Sequence, residues 1–63
     1  MKWMIHKDGC FVAESNGHSF ELGEMGGGRW LLKHWLPTSL SSVWHDVWSE
    51  DEGKAMAERL ASE

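Results

Sequence analysis

Residues 4–22 read MIHKDGCFVAESNGHSFEL, and this stretch decides the fold because it holds two turn signals between short apolar segments. Asp8-Gly9 and Asn16-Gly17 are both dipeptides that tolerate the positive φ values of a two-residue type I′ hairpin turn. Two such turns in succession predict a meander of three antiparallel strands.

Each two-residue turn would also fix a strand register. The first turn predicts the pairs Lys7–Cys10, His6–Phe11, Ile5–Val12 and Met4–Ala13. The second predicts the pairs Ser15–His18, Ala13–Phe20 and Phe11–Leu22. Opposed residues share a face, so the expected core face carries Met4, His6, Phe11, Ala13, His18, Phe20 and Leu22. The other face would carry Trp3, Ile5, Lys7, Cys10, Val12, Glu14, Ser19 and Glu21, and a one-residue bulge would exchange these assignments.

A glycine-rich segment, Gly26-Gly27-Gly28, separates the meander from two further apolar runs. It leads into Arg29-Trp30-Leu31-Leu32 rather than into a helix N-terminus, so we expect a flexible hairpin loop and not a phosphate-binding loop. The run from Arg29 to Leu36 ends before Pro37, which cannot donate to a β-ladder, and this predicts a fourth strand. The β-branched and aromatic residues of Val43 to Trp48 favour a fifth. Helix is the alternative for both runs.

The C-terminal segment has the signature of a helix start. Ser49-Glu50-Asp51-Glu52 is a capping box, in which the Ser49 hydroxyl accepts from the Glu52 amide and the Glu52 carboxylate accepts from the Ser49 amide. We expect a helix from Glu50 to about Ala61. Its narrow apolar face consists of Gly53, Met56, Ala57 and Leu60. Gly53 would allow the first turn to approach the sheet or a Trp ring closely.

Together these elements predict an α+β fold, with an antiparallel sheet of four to five strands and one C-terminal helix packed on one face. A chain of 63 residues has room for a single domain, 1–63. Five Trp and two Phe residues are more aromatic surface than one helix-to-sheet interface absorbs. We therefore expect some tryptophan surface to be exposed or to contact a partner. The alternative is that the sheet curls and buries both sets of rings.

No motif for catalysis or for a cofactor is present. The four histidines lie eleven or more residues apart, without the close spacing of a metal-ligand motif. Strand alternation would send His45 and Asp46 to opposite faces, which makes a triad with Ser42 improbable. Cys10 has few basic neighbours and is expected to be an inert thiol. The sequence thus predicts a protein without enzymatic activity, metal or cofactor.

The charge is concentrated at one end of the chain. The net charge is −4, and the last eighteen residues hold six acidic and two basic side chains. This predicts an acidic helix surface and argues against a general polyanion binder, whose affinity would come from Lys and Arg. No apolar run is long enough to span a membrane and the N-terminus lacks a signal-peptide pattern, so we expect a cytoplasmic protein that does not bind membranes.

The strand ending in Trp48-Ser49, followed by the segment from Glu50 to Leu60, resembles the last strand and terminal helix of many small proteins of bacteriophages and mobile elements. That group includes anti-CRISPR proteins. The resemblance implies a non-enzymatic inhibitor, acting in the host cytoplasm, that binds a host protein or ribonucleoprotein complex and blocks its nucleic-acid-binding surface. We expect a monomer or weak homodimer without direct DNA binding. The expected partner-binding residues are Glu50, Asp51, Glu52, Glu58, Trp3 and Trp35.

The alternative function is a small protein that binds single-stranded nucleic acid. Exposed tryptophans stack on unpaired bases, and Trp3, Trp30 or Trp35 would provide the rings. Such a protein also needs a basic groove. The basic residues of the sheet region that would have to form it are Lys2, Lys7, Arg29 and Lys33.

Overall fold

The computed structural model describes residues 1–6 and 8–62, in which five strands form one antiparallel sheet in sequential order. The strands are β1 (Met4–Ile5), β2 (Phe11–Ser15), β3 (His18–Gly26), β4 (Arg29–Trp35) and β5 (Ser42–Val47). The helix α1 (Glu50–Ala61) packs on one face, mainly over β3 and β4. This confirms the predicted fold class. No helix in the described ranges is long and apolar enough to cross a bilayer.

The hairpin between β2 and β3 has the predicted turn and register. Asn16 and Gly17 both have positive φ, 53° and 82°, as a type I′ turn requires. The register contains all three predicted pairs, Ser15–His18, Ala13–Phe20 and Phe11–Leu22. The faces of β2 and β3 are therefore as the sequence predicted.

The hairpin between β1 and β2 differs from the prediction by one residue. Met4 pairs with Val12 and Ile5 with Phe11, so the expected pairs Met4–Ala13 and Ile5–Val12 are wrong. His6 takes the place opposite Cys10, because its N–H donates to the Cys10 carbonyl at 2.7 Å. The loop is thus one residue longer than a two-residue turn. The Asp8 carboxylate accepts from the Cys10 amide at 3.2 Å and Gly9 has a φ of 90°, which together support the wider turn.

This shift exchanges the faces of β1. Met4 and His6, expected in the core, are exposed, and Met4 lies beside Val12 on the face away from the helix. Trp3, expected on that face, packs against the core residue Phe20 with ring centroids 6.4 Å apart. The expected pair between Lys7 and Cys10 involves a position outside the described residues.

The two apolar runs after the meander are strands, and the helix alternative is wrong for both. Gly27-Gly28 forms a two-residue turn between β3 and β4, so the glycine segment is a hairpin loop as expected. The register shifts by one residue at Met25, between the pairs Glu24–Trp30 and Gly26–Arg29. β4 ends two residues before Pro37, and β5 begins at Ser42, one residue earlier than predicted.

The helix has the predicted bounds and one of the two predicted capping bonds. The Ser49 hydroxyl accepts from the Glu52 amide at 3.1 Å. The Glu52 carboxylate accepts from the Trp48 amide at 3.3 Å, not from the Ser49 amide as the capping box predicted. Ser49 is extended, with φ −158° and ψ 164°, and this conformation brings the preceding amide within reach of the carboxylate. The cap therefore ties the end of β5 to the first turn of α1.

The core lies between the sheet and the helix. Its buried members are Phe20, Leu22, Leu32, Val47, Ala57 and Ala61. The first turn of α1 approaches the sheet closely at Gly53, where a Cβ would lie 2.5 Å from Leu22 Cδ1. Trp44 and Trp48 remain 62% and 73% exposed. The expected exposed tryptophan surface is therefore present.

Candidate functional site

One face of the sheet is not covered by α1, and we call it the outer face. Strand alternation assigns its residues, because opposed residues in the ladders share a face. It consists of Met4, Val12, Glu14, Ser19, Glu21, Leu31, Lys33, Trp35, Trp44 and Asp46. The outer face is therefore a mixed surface in which apolar and charged side chains alternate.

Three shallow hollows indent the outer face. One, of about 380 Å³, lies between Met4, Val12 and Trp35, with Lys2 and polar side chains of β2 and β3 around it. A second, of about 200 Å³, lies beside Cys10, where Leu31 and Trp44 contribute apolar walls. A third, also of about 380 Å³, lies at the glycine-loop end beside Arg29 and Asp46. All three are lined mainly by side chains of neighbouring strands. Rigid strands therefore hold the apolar side chains that a partner would contact.

Two basic side chains of the outer face are paired with carboxylates. Lys33 Nζ lies 3.6 Å from Glu21 Oε1 and 5.0 Å from the centre of the Trp44 ring. Arg29 Nη2 lies 3.9 Å from Asp46 Oδ1 at the glycine-loop end of the sheet. Exposed pairs of this kind contribute little to stability. They pair Lys33 and Arg29 with carboxylates, while Lys2 borders the hollow at Met4 and Trp35. Three separated basic side chains, two of them paired, do not form the continuous basic groove that phosphate binding needs.

The acids predicted to form an acidic helix surface are in part neutralised within the chain. Glu50 pairs with Lys54 at 2.7 Å, and Glu58 lies 3.0 Å from the Met1 amino group. Glu52 accepts the Trp48 amide. Asp51 is exposed and has no ion-pair partner among the described residues. The helix surface is thus less negative than the sequence alone indicates.

The two tryptophans predicted to bind a partner lie on opposite sides of the sheet. Trp3 is half-buried on the helix side, where its ring centre is 5.9 Å from Lys54 Nζ. Trp35 borders the hollow of the outer face that Met4 and Val12 line. Trp30, considered for base stacking, packs on the helix side against Phe11 with ring centroids 6.4 Å apart. The predicted set of binding residues therefore does not converge on one surface.

Sequence reasoning missed a row of histidines on the helix side. His18 Nδ1 and His34 Nε2 are 2.8 Å apart, and both residues are buried. One nitrogen carries the shared hydrogen and the other accepts it. The His34 ring also stacks on Phe20, with centroids 4.7 Å apart. The β3–β4 register would have revealed this pair, because it places Phe20 opposite His34 and therefore His18 diagonally next to His34.

A third histidine continues the row on β5. The His45 ring centre lies 6.4 Å from that of His34, and His45 borders a hollow of about 310 Å³ next to Met56, Arg59 and Leu60. Its Nε2 atom is buried and has no hydrogen-bond partner in the described ranges. A buried polar atom without a partner costs about 1–3 kcal/mol. Among the described residues, no group of three or more His, Cys, Asp or Glu side chains could hold a metal ion.

The thiol of Cys10 has a raised pKa. Partial burial raises the pKa of its thiol, and the carboxylates of Asp8 and Glu21 raise it further. The thiolate is the reactive form, so a raised pKa lowers reactivity at neutral pH. The arrangement fits the inert thiol expected from the sequence.

Comparison of the chain with protein families, curated proteins and solved structures found no match. The interpretation of the site therefore depends on its geometry alone.

Proposed function

We propose that this chain is a small protein-binding module without catalytic activity, and that the outer face of its sheet is the binding surface. The observation that carries the proposal is the combination of apolar hollows with the Lys33–Glu21 ion pair on that face. Interfaces between proteins have an apolar centre with a polar rim and few unpaired charges. The outer face offers apolar side chains around its hollows, and its central charges, Glu21 and Lys33, are paired with each other.

The hypothesis that the chain is an inhibitor also specifies the class of protein that it binds. In this hypothesis the bound partner is a nucleic-acid-handling protein or complex of a host cell, and the module blocks its basic surface. Asp51, exposed and unpaired in the described chain, supplies the attraction toward Lys and Arg groups, and such attraction raises association rates. Trp48, exposed nearby at the helix start, adds an apolar contact.

The alternative of single-strand binding has less support from the geometry. Of its three candidate rings only Trp35 lies on the outer face, where Lys2 borders the same hollow, and Lys33 is shared between Glu21 and Trp44. One lysine beside one ring is not a basic groove, and base stacking without such a groove gives weak binding. Titration with oligonucleotides at low salt is therefore expected to leave the tryptophan fluorescence unchanged.

The test is a capture experiment from nuclease-treated bacterial lysate with four baits: wild type, Val12→Lys, Asp51→Lys and Leu40→Lys. Val12→Lys adds a charge to the outer face, and Leu40→Lys makes the same change at a fully exposed loop position. We expect one partner protein that wild type and Leu40→Lys retain equally. Val12→Lys should retain at least tenfold less of it, since an unpaired charge in an interface costs several kcal/mol.

Urea unfolding of each bait, followed by tryptophan fluorescence, verifies that the variants are folded. Equal capture by Val12→Lys and wild type would refute the outer face as the binding surface. Weaker capture by Asp51→Lys would support the acidic contact of the inhibitor hypothesis, and equal capture would remove that contact from it.

A further inference from the structure

The outer face of the sheet has a step between β3 and β4. In three successive rows on that face, the register places a small or acidic side chain of β3 beside a larger side chain of β4. The three pairs are Ser19–Trp35, Glu21–Lys33 and Gly23–Leu31. The β3 half of the step is therefore low and carries a negative charge, and the β4 half is high and carries a positive charge.

Two of the hollows of the outer face lie over the low half of this step. Ser19 lines the hollow of about 380 Å³ that Trp35 borders. Gly23 lines the hollow of about 200 Å³ that Leu31 borders. Each hollow thus lies beside a large apolar side chain of β4, at the same level along the strands. One surface therefore carries both the hollows and the side chains that fit them.

We propose that the outer face binds the outer face of a second copy of the chain, about a two-fold axis that runs parallel to the strands between β3 and β4. This inference rests on the proposed function, because it uses the same binding surface. The axis places β3 of each copy over β4 of the other, at the same level along the strands, which is an isologous interface. Trp35 then lies over Ser19 of the second copy, and Leu31 lies over Gly23 of the second copy.

The charges of the step favour this axis and a second copy as the occupant. Glu21 of each copy lies over Lys33 of the other, so each end of the 3.6 Å ion pair gains a second opposite charge. An axis through β3 would place Glu21 over Glu21, and an axis through β4 would place Lys33 over Lys33. Like charges in contact oppose association. An unrelated protein would need a matching step of the opposite order, whereas a second copy has it by symmetry.

The same axis buries an exposed tryptophan and keeps the acidic helices apart. The ladders place Val12 beside Glu21 and Trp44 beside Lys33, so Val12 of each copy lies over Trp44 of the other. Trp44 is 62% exposed in the single chain, and a buried tryptophan contributes a large apolar contact area. α1 packs on the other face of the sheet, so the two helices lie on the outside of two sheets packed face to face.

The size of the overlap sets the expected strength of the dimer. The strands β2–β5 of each copy take part, and four strands about 4.8 Å apart and about five residues long cover less area than stable protein interfaces, which bury about 800 Å² per partner. We therefore expect a weak dimer. It is populated at high concentration and leaves the outer face open to another protein in dilute solution.

The first test measures the mass of the full chain by analytical ultracentrifugation up to millimolar concentration. Wild type is expected to approach twice the chain mass of 7.2 kDa as the concentration rises. Glu21→Lys opposes two positive charges across the interface and Lys33→Glu opposes two negative charges, so each variant should dimerise at least tenfold more weakly. A wild type that is monomeric at every concentration, or a dimer unchanged in both variants, would overturn the proposal.

An equimolar mixture of these two variants tests the position of the axis. In a mixed dimer the lysine introduced at position 21 faces the glutamate introduced at position 33, and the native Lys33 and Glu21 face each other. We expect the mixture to dimerise at least tenfold more tightly than either variant alone. A mixture as weak as the separate variants would contradict the axis. Glu50→Lys and Lys54→Glu are the matched controls, because they change an ion pair on α1 and should dimerise as wild type does, separately and mixed.

A further variant tests whether a hollow receives a side chain of the second copy. Ser19→Leu fills the hollow that Trp35 of the second copy would enter, and it should weaken the dimer at least tenfold. Ser42→Leu is the control, because Ser42 is the other neighbour of Trp35 in the ladders and lies away from the axis. Equal dimerisation of the two variants would contradict the insertion of Trp35. Urea unfolding verifies that each variant is folded.

The outcomes separate this inference from the proposed function. If wild type is monomeric at every concentration, the second copy is refuted and the capture experiment keeps its meaning. If the dimer responds to the variants as expected and no other protein is captured, the second copy is supported and the separate partner protein is refuted.

Discussion

The two faces of the sheet are built from the same strands and differ in nearly every physical property. On β4, Leu32 points toward the helix and is 0% exposed, whereas its neighbour Leu31 lies on the outer face and is only partly buried. The helix side contains stacked rings and a buried histidine pair. The outer face contains exposed ion pairs and shallow hollows.

This difference assigns folding mainly to the face that α1 covers and leaves the outer face available for binding. A chain of this length can cover one face of a five-stranded sheet with one helix, so its folding free energy comes mainly from that face. The outer face is free to change without loss of the core. Variants that compare matched positions on the two faces test this division directly.

The largest expected difference is between two adjacent leucines. Leu32→Ala removes a fully buried side chain and should lower the free energy of unfolding by about 2–5 kcal/mol. Leu31→Ala removes a partly exposed side chain and should cost less than about 1 kcal/mol. Urea unfolding followed by tryptophan fluorescence measures both. If Leu32→Ala does not fold, Leu32→Val should still cost more than Leu31→Val. Equal losses at the two positions would mean that the outer face is covered in solution.

The sequence was sufficient to predict the faces of β2 and β3, where Asn16-Gly17 fixes the register, and insufficient at the first turn, where a longer loop is also possible. Asn16-Gly17 admits one tight turn, and its register is as predicted. The register after Asp8-Gly9 is not as predicted, because the Asp8 carboxylate accepts a hydrogen bond from the Cys10 amide and stabilises a loop that is one residue longer. That single residue moved Met4 and Trp3 to the faces opposite those predicted.

The candidate site was less predictable than the fold because it depends on contacts between distant segments. The register of β3 and β4 shifts by one residue at Met25, so the position of the glycine turn does not reveal that His18 and His34 come together. The composition gives no sign of that shift. Likewise, pairing of Glu58 with the Met1 amino group follows from the docking of the helix. Sequence spacing cannot reveal either contact.

The second prediction concerns the buried pair of polar residues, His18 and His34, on the face of the sheet that α1 covers. His18→Leu removes one partner of the 2.8 Å ring contact and leaves His34 Nε2 without it, which should cost about 1–3 kcal/mol. His34→Leu should have a similar effect. The double variant should cost clearly less than the sum of the two, because it leaves neither nitrogen of the pair unsatisfied. Additive losses would show that the two rings do not depend on each other.

The smallest expected effect tests how closely the helix approaches the covered face. Alanine is the better helix former at an interior position, by about 1 kcal/mol, so Gly53→Ala would stabilise a helix with no neighbour at this position. Here the added Cβ would lie 2.5 Å from Leu22 Cδ1 and 3.0 Å from Cδ2, and Leu22 is fully buried. Overpacking costs about 1–3 kcal/mol, so we expect a net loss of up to about 2 kcal/mol in urea unfolding.

Leu22→Val supplies the control for this close approach, because it removes both δ carbons from the contact. In the Leu22→Val background the same Gly53→Ala substitution should cost less, or stabilise the protein, since the propensity gain remains and the closest contacts are gone. Ala55→Gly, at an exposed position of the same helix, measures the propensity term alone. If Gly53→Ala had the same effect in both backgrounds, the glycine would be present for a reason other than the approach of α1 to β3.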